Sequence, residues 1–193
     1  MSVPAADRLL VVDDNEMNRD LLARRLRHEA VTVSNGLEAL GLLRAERFDL
    51  VLLDITMPEV DGYEVLRRMR EDEALRHVPV VMVSAIDETE SVVRCLELGA
   101  DDYLVKPFNP LVLRARVEAS LARKLLRDRE QTHARMLERE LEIGRQIQAG
   151  FLPEQLPQPA GWHLDSRFVP ARQVGGDFYD AFMLPDGRLC LVV

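Results

Sequence analysis

The chain has 193 residues, of which 47% are hydrophobic, and its formal net charge is −8. This length suits one domain of ordinary size with a shorter segment attached. The acidic balance excludes the basic surface that nucleic-acid binding requires, and no apolar run approaches the roughly 20 residues that a membrane-spanning helix needs.

The start of the chain and its cysteines favour a cytoplasmic protein. The N-terminal segment MSVPAADR lacks the basic and apolar regions of a signal peptide. Cys95 and Cys190 match no disulfide or metal-ligand spacing. Residues 1–120 carry the whole net negative charge, which favours a cation site in that part. We expect no nucleic-acid partner and no membrane.

Strand and helix patterns alternate through residues 8–126. Apolar runs predict five strands, at RLLVV, AVTVS, FDLVLL, VPVVMVSA and DYLV. Five helices are predicted after them, the fourth closed by Gly99 and the last starting near Pro110. The first helix places four apolar residues on one face: Met17, Leu21, Leu22 and Leu26. Strands that are apolar throughout are covered on both faces, so the pattern predicts an α/β fold with a five-stranded, doubly wound parallel sheet.

Polar residues follow the predicted strands at their carboxyl ends, where such sheets bind ligands. They are Asp13, Asp14, Asp54, Ser84 and Lys106. Three carboxylates this close resist ionising together unless a cation lies among them, and Mg²⁺ suits a site with few carboxylates. An aspartate can accept a phosphoryl group whose oxygens the metal, the lysine and the hydroxyl then hold.

Each of these residues also has an ordinary structural explanation when it is taken alone. Asp14 or Asn15 could cap the first helix, Ser84 could belong to a turn, and Lys106 could be a solvated charge. The complete set in this order favours phosphoryl transfer over those explanations.

Four segments resemble the CheY-like, flavodoxin-like receiver domain of two-component response regulators. They are LLVVDDNEMNRDLL, DLVLLDITMPEVDGYEVL, VPVVMVSA and GADDYLVKPF. The resemblance covers residues 7–124, and we assign residues 1–124 to the receiver domain. It implies that a histidine kinase phosphorylates Asp54, and that the Lys106-Pro107 bond is often cis.

The same resemblance implies that Asp54 is also a metal ligand, and it assigns roles to the residues around it. It implies that Asp14 binds Mg²⁺ directly, that Asp13 acts through the water shell of the metal, and that the backbone carbonyl of Thr56 completes the protein ligands. Ser84 and Tyr103 are then switch residues, and Lys106 binds the phosphoryl group.

The last receiver helix has no stop signal, because residues 111–150 contain no proline and the first glycine is Gly144. Several residues fall near a 3-4 spacing: Leu137, Leu141, Gly144, Ile147 and Phe151. This pattern predicts a weak parallel coiled coil over residues 125–151 that pairs two chains and relays the receiver state. A single solvated helix is the alternative, and His133 is expected to be a solvated residue of that helix.

Residues 152–193 begin with a linker, LPEQLPQPAGW, and continue with strand patterns that include a hairpin turn at Asp186-Gly187. The segments LEIGRQIQAGFLP, FVPARQVGGDFYDAF and LPDGRLCLVV resemble the opening of a SpoIIE-type serine phosphatase domain of the PPM family. That resemblance implies that Asp177 belongs to a dinuclear Mn²⁺ or Mg²⁺ centre. A simple turn at Gly175-Gly176-Asp177 is the alternative.

The later metal-binding aspartates of the phosphatase pattern are absent from the sequence, and a two-metal hydrolase needs its full ligand set. We therefore expect a truncated α+β phosphatase fragment that is inactive in this chain. A longer form would dephosphorylate a phosphoprotein such as an anti-sigma-factor antagonist. The alternatives are a receiver-controlled adaptor or anti-sigma protein with a non-catalytic phosphatase-like domain, and a receiver that acts alone.

Overall fold

The computed structural model describes residues 7–26, 28–85, 89–153, 155–169, 175 and 177–193. It divides into a first unit, Met1–Asp128, and a second unit, Arg129–Val193. Each unit has its own sheet.

The sheet of the first unit has five parallel strands in the order β2-β1-β3-β4-β5. They are β1 (Arg8–Val12), β2 (Glu29–Val33), β3 (Leu50–Asp54), β4 (Val80–Ser84) and β5 (Asp102–Val105). The order reverses at β1, which lies between β2 and β3, so the carboxyl ends of β1 and β3 meet at the switch point where doubly wound sheets bind ligands. The predicted fold class is confirmed for this unit.

Helices follow each strand of this sheet. They are α1 (Glu16–Arg25), α2 (Gly36–Ala45), α3 (Gly62–Glu71), α4 (Thr89–Glu97) and α5 (Pro110–Phe151). Asn15 caps α1 by accepting hydrogen bonds from the amides of Met17 and Asn18, as the sequence suggested for that position. Gly99 has a φ of +92°, which permits the chain to turn after α4.

Alternate residues of the strands pack into two apolar layers, one on each face of the sheet. On one face, Leu9, Val11 and Leu52 pack with Leu22 of α1 and with the buried side of α5. On the other face, buried apolar residues of the strands pack with buried residues of the helices, among them Leu10, Val12, Leu53, Met82, Leu40, Leu66 and Cys95. Rigid strands between two packed layers hold their carboxyl ends in fixed positions.

The four-residue apolar face predicted for α1 is wrong. Leu22 and Leu26 are buried, whereas Met17 is 79% exposed and Leu21 is 42% exposed. Met17 and Leu22 are five residues apart, which places them about 140° apart around a helix axis. The helix therefore buries only the side that faces the sheet.

In the second unit, strands β6 (Asp180–Met183) and β7 (Leu189–Val192) form an antiparallel hairpin. Gly187 has a φ of +85° in its turn, so the hairpin predicted at Asp186-Gly187 is confirmed. The strand pattern predicted upstream of β6 forms no strand in its described part, residues 162–169, 175 and 177–179. Strand geometry needs a pairing partner, and the two strands of this hairpin pair with each other.

The 42-residue helix α5 confirms that the last receiver helix continues without a stop. Its exposed side carries apolar residues beyond the first unit, including Leu137, Leu141 and Ile147. Across the described ranges, no helix combines the length and apolar character that crossing a membrane demands.

Candidate functional site

Three carboxylates meet at the carboxyl edge of the five-stranded sheet. Asp13 and Asp14 follow β1, and Asp54 ends the neighbouring strand β3. One oxygen atom from each residue lies within 4.8 Å of the others. Asp13 is fully buried and Asp54 is 6% exposed, while Asp14 is exposed. The predicted convergence of these residues is therefore present in the structure.

The ammonium group of Lys106, which follows β5, enters the same acidic pocket. Its Nζ lies 2.7 Å from Oδ2 of Asp13 and 3.0 Å from Oδ1 of Asp54. The preceding peptide is fixed as well, because the amide of Lys106 donates to the carbonyl of Ser84 at 2.7 Å. The bond between Lys106 and Pro107 is cis, as the resemblance implied.

Asp13 has both of its carboxylate oxygens occupied by protein donors. Its Oδ1 accepts hydrogen bonds from the amide of Asn15 at 2.9 Å and from Nδ2 of Asn18 at 3.2 Å. Its Oδ2 faces Lys106. These hydrogen bonds therefore hold the carboxylate of Asp13 in one orientation within the pocket.

The surroundings of Asp54 disfavour its ionised form. Burial raises the pKa of Asp54 above its ordinary value, the hydrogen bond and charge of Lys106 oppose that rise, and the charge of Asp13 adds to it. The amide of Ile55 donates to Oδ1 of Asp54 at 3.0 Å. A desolvated carboxylate beside two others is relieved by a bound cation, and an all-oxygen donor set suits Mg²⁺. The residues present therefore fit a magnesium ion.

The remaining residues of the predicted set lie on neighbouring elements. Ser84 ends β4, the strand beside β3, and is fully buried. Tyr103 lies in β5 and is 7% exposed. Thr56 lies two residues beyond Asp54 and is exposed. The structure gives these positions, and the roles assigned to the three residues stay predictions.

Asp177 lies in the second unit, where it lines a cavity of about 610 Å³ together with Phe151, Gly175 and Asp180. The side chain of Gln148 holds this segment. Its Oε1 accepts from the amide of Gly175 at 3.0 Å, and its Nε2 donates to the carbonyls of Gly175 at 2.8 Å and Asp177 at 3.1 Å. Within the described ranges, the one cluster of three potential metal-binding side chains is in the first unit. Gly176, part of the predicted turn, lies outside the described residues.

Sequence reasoning missed two residues that touch the backbone of the site. Nη1 of Arg19 donates to the carbonyls of Asp13 at 2.8 Å and Asp14 at 3.0 Å. A side chain on Gly62 would come within 2.2 Å of the carbonyl of Asp54. The Asp-Gly pair at the start of α3 was a usable signal for a close approach, whereas contacts of a side chain to a backbone carbonyl leave no residue pattern.

A parallel sheet with this acidic pocket and lysine defines a phosphotransfer receiver, and comparison with known proteins agrees. The family described as "Response regulator receiver domain" matches residues 9–118, which is more than half of the chain. The chain therefore belongs to the response regulator receiver family. Receiver domains bind Mg²⁺ at an acidic pocket, which Asp13, Asp14 and Asp54 form here.

Two curated relatives show how far the similarity extends. "Response regulator PleD" of Caulobacter vibrioides is 40% identical over 136 residues, which cover 67% of this chain and 30% of that protein. "Probable transcriptional regulator ycf27" of Guillardia theta is 44% identical over 120 residues, which cover 61% of this chain and 46% of that protein. The matched region thus spans less than half of either relative.

Solved structures share the fold of the first unit. A CheY-like receiver domain protein of Methanospirillum hungatei has a TM-score of 0.60 at 28% identity, covering 64% of this chain and 99% of its own. The BeF3-activated DrrB receiver domain has a TM-score of 0.56 at 33% identity, covering 61% of this chain and 98% of its own. The phosphorylated cyanobacterial phytochrome response regulator RcpA has a TM-score of 0.52 at 33% identity, covering 56% and 86%.

Proposed function

We propose that a histidine kinase phosphorylates this regulator on Asp54. The observation that carries the proposal is the placement of Asp54, buried at the end of β3, with Lys106 at 3.0 Å and two further acids beside it. Activated and phosphorylated receivers among the similar structures support it. Asp49 also has a lysine nearby, Lys124 at 3.2 Å, but its side chain is partly exposed and it precedes β3 rather than ending it.

In the proposed reaction, a carboxylate oxygen of Asp54 attacks the phosphorus atom of a phosphohistidine. An acyl phosphate forms, the phosphorus–nitrogen bond breaks, and the histidine nitrogen keeps the bonding electron pair. Bound magnesium supplies charge neutralisation for the phosphoryl oxygens. The strand holds Asp54 in place, because Val51, Leu52 and Leu53 before it are buried.

Lys106 changes partner in this reaction. Before phosphorylation, its ammonium group lies between Asp13 and Asp54. A new phosphoryl group on Asp54 brings fresh negative charge to the same place, so the ammonium turns to a phosphoryl oxygen. We assign the hydroxyl of Ser84 to another phosphoryl oxygen, and Tyr103 to the surface that responds to this movement.

Asp13 and Asp14 would contact the metal in different ways. Asp13 already accepts bonds from Asn15, Asn18 and Lys106, so a role through metal-bound water suits it. Asp14 is exposed and its side chain is open to direct ligation. This difference supports Asp14 as a direct ligand, and we assign Asp54 and the carbonyl of Thr56 as the other two.

For output, we propose that residues 125–151 pair two chains. The apolar residues that α5 leaves exposed support this, since Leu137 is 46% exposed and Ile147 is 57% exposed. A weak coiled-coil pattern of this kind suits a helix pair whose packing shifts with small changes in the receiver. Receiver residues 1–124 would then control whatever follows the helix.

We further propose that residues 152–193 open a metal-dependent phosphatase domain that contains Asp177. Asp180 lines the same cavity, and the hydrogen bonds from Gln148 to the carbonyls of Gly175 and Asp177 support an organised segment. The substrate would be a phosphoserine protein such as an anti-sigma-factor antagonist. The alternative is an adaptor in which this segment binds partners without catalysis, and measurable Mn²⁺ binding at Asp177 would favour the phosphatase.

Labelling with acetyl phosphate and Mg²⁺, followed by intact-mass measurement, tests the phosphorylation. The wild-type chain should gain one phosphoryl group, and Asp54→Asn should gain none. Asp20→Asn is the matched control, because Asp20 is exposed on α1 outside the pocket, and it should label normally. Labelling of Asp54→Asn at the wild-type level would identify a different acceptor.

A further inference from the structure

Arg19 donates hydrogen bonds to the backbone of the turn after β1, which contains Asp13 and Asp14. A single guanidinium nitrogen, Nη1, donates to the carbonyl of Asp13 at 2.8 Å and to that of Asp14 at 3.0 Å. Arg19 belongs to α1, whose Leu22 is 2% exposed and packs on the sheet. The side chain therefore ties two consecutive peptide groups of the pocket to a helix that is itself fixed.

We propose that Arg19 is a positioning residue for the magnesium site, a role that rests on the proposed phosphorylation function. The carboxylate of Asp13 has three protein donors of its own. The carboxylate of Asp14 is exposed, so its direction depends on the backbone from which it projects. By holding the Asp14 carbonyl, Arg19 fixes that backbone before any metal arrives.

The charge of Arg19 acts in the opposite direction from its geometry. A guanidinium near a cation site repels the cation, so removing the charge alone would tighten Mg²⁺ binding. Removing the two carbonyl contacts frees the turn and would weaken Mg²⁺ binding, because a ligand held in place loses less entropy when the metal binds. Arg19 is partly open to solvent, which screens its charge, and the geometric effect therefore dominates.

The sign of the change in Mg²⁺ affinity separates these two effects. In the full chain, without a phosphodonor, Mg²⁺ is titrated by calorimetry and by amide NMR shifts of residues 13–15. Arg19→Gln should raise the Kd for Mg²⁺ by on the order of tenfold, the effect expected when a residue that orients metal ligands is lost. Arg19→Lys keeps the positive charge and has a donor group on a shorter side chain. Its Kd for Mg²⁺ should lie between those of Arg19→Gln and the wild type.

Arg24→Gln is the matched control. Arg24 lies on the same helix, is exposed and pairs with Asp20, so the Kd should stay at the wild-type value. In acetyl phosphate labelling, Arg19→Gln should need more Mg²⁺ for half-maximal rate and reach the wild-type rate at saturation, which a general loss of folding would not produce. If Arg19→Gln does not fold, Arg19→Lys carries the test with the same expected direction.

The outcomes separate this proposal from the function on which it rests. Arg19→Gln that binds Mg²⁺ as tightly as the wild type, or more tightly, overturns the positioning role and leaves phosphorylation of Asp54 intact. A wild-type chain that shows no saturable Mg²⁺ binding overturns both.

Discussion

Gly62 touches the peptide of Asp54 so closely that a methyl group on Gly62 would come within 2.2 Å of the Asp54 carbonyl oxygen. The amide of Gly62 also donates to the carbonyl of Ile55 at 2.9 Å. The start of α3 is thereby fastened to the turn that presents the proposed acceptor. Glycine is required here for space, because the three atoms nearest to an added methyl group are backbone atoms of Asp54 and Ile55.

Gly62→Ala should therefore destabilise the protein and disturb the acceptor together. We expect a loss of about 1–3 kcal/mol in the free energy of unfolding, as for other overpacked sites, and slower labelling of Asp54 by acetyl phosphate. Urea denaturation and labelling kinetics measure the two effects. Gly41→Ala is the control, since the added methyl group meets nothing within 4 Å and removes a glycine from α2. Wild-type stability in Gly62→Ala would contradict the close contact.

Asp54→Asn should stabilise the metal-free protein at neutral pH. Because burial raises the pKa of Asp54 in the folded state, ionisation of this group costs stability. That cost is absent below the ordinary pKa of 3.8, grows as the pH rises, and is complete above the folded-state pKa. The thermal midpoint of Asp54→Asn should exceed that of the wild type at pH 7 by a few degrees.

The same variant should lose its advantage under two conditions. At a pH below 3.8, the wild-type carboxyl is protonated in both states and the gap in midpoint should shrink. Added Mg²⁺ should stabilise the wild type more than Asp54→Asn, because the metal relieves the carboxylate repulsion. A gap that is the same at every pH would show that the charge of Asp54 is not its cause.

Lys106→Ala should unmask the repulsion within the acidic pocket. The Lys106 ammonium lies 2.7 Å from the Asp13 carboxylate and 3.0 Å from that of Asp54, and the variant removes this positive charge. We expect a loss of about 1–3 kcal/mol in metal-free urea unfolding, part of which Mg²⁺ restores. Lys124→Ala is the control, because Lys124 pairs with Asp49 and Asp128 outside the pocket, and such pairs are worth less than about 1 kcal/mol. Equal losses in the two variants would contradict a special role for Lys106.

Much of this pocket could be predicted from the sequence, because parallel strands bring their carboxyl ends to one edge. Asp13, Asp54 and Lys106 each follow an apolar run, so their convergence needed only the order of the strands. Burial on α1 was harder to predict, since apolar Met17 and Leu22 fit one loose pattern although they lie on different sides of the helix. The contacts of Arg19 were beyond sequence reasoning, because every residue offers the same backbone carbonyl.

Glu59 has a φ of +64° in the loop after Asp54. The amide of Val60 donates to the carbonyl of Pro58 at 2.8 Å across it, which makes a three-residue turn. A non-glycine residue in this left-handed region costs roughly 1–2 kcal/mol. Glu59→Gly should therefore be more stable than Glu59→Ala in urea unfolding by a good part of that cost, since the alanine keeps the strain. Lower stability of the glycine variant would indicate that the freedom gained by its unfolded chain outweighs the relief.

The exposed apolar residues of α5 predict that the chain associates through this helix. Leu137 is 46% exposed and Leu141 is 43% exposed, and they lie one turn apart on one side of the helix. Leu137→Asp with Leu141→Asp should convert a dimer to a monomer in sedimentation equilibrium, whereas Arg139→Asp, off that side, should not. Beryllofluoride should change hydrogen exchange over residues 125–151 if the receiver controls the pair. A chain that sediments as a monomer before and after beryllofluoride would instead favour the single solvated helix.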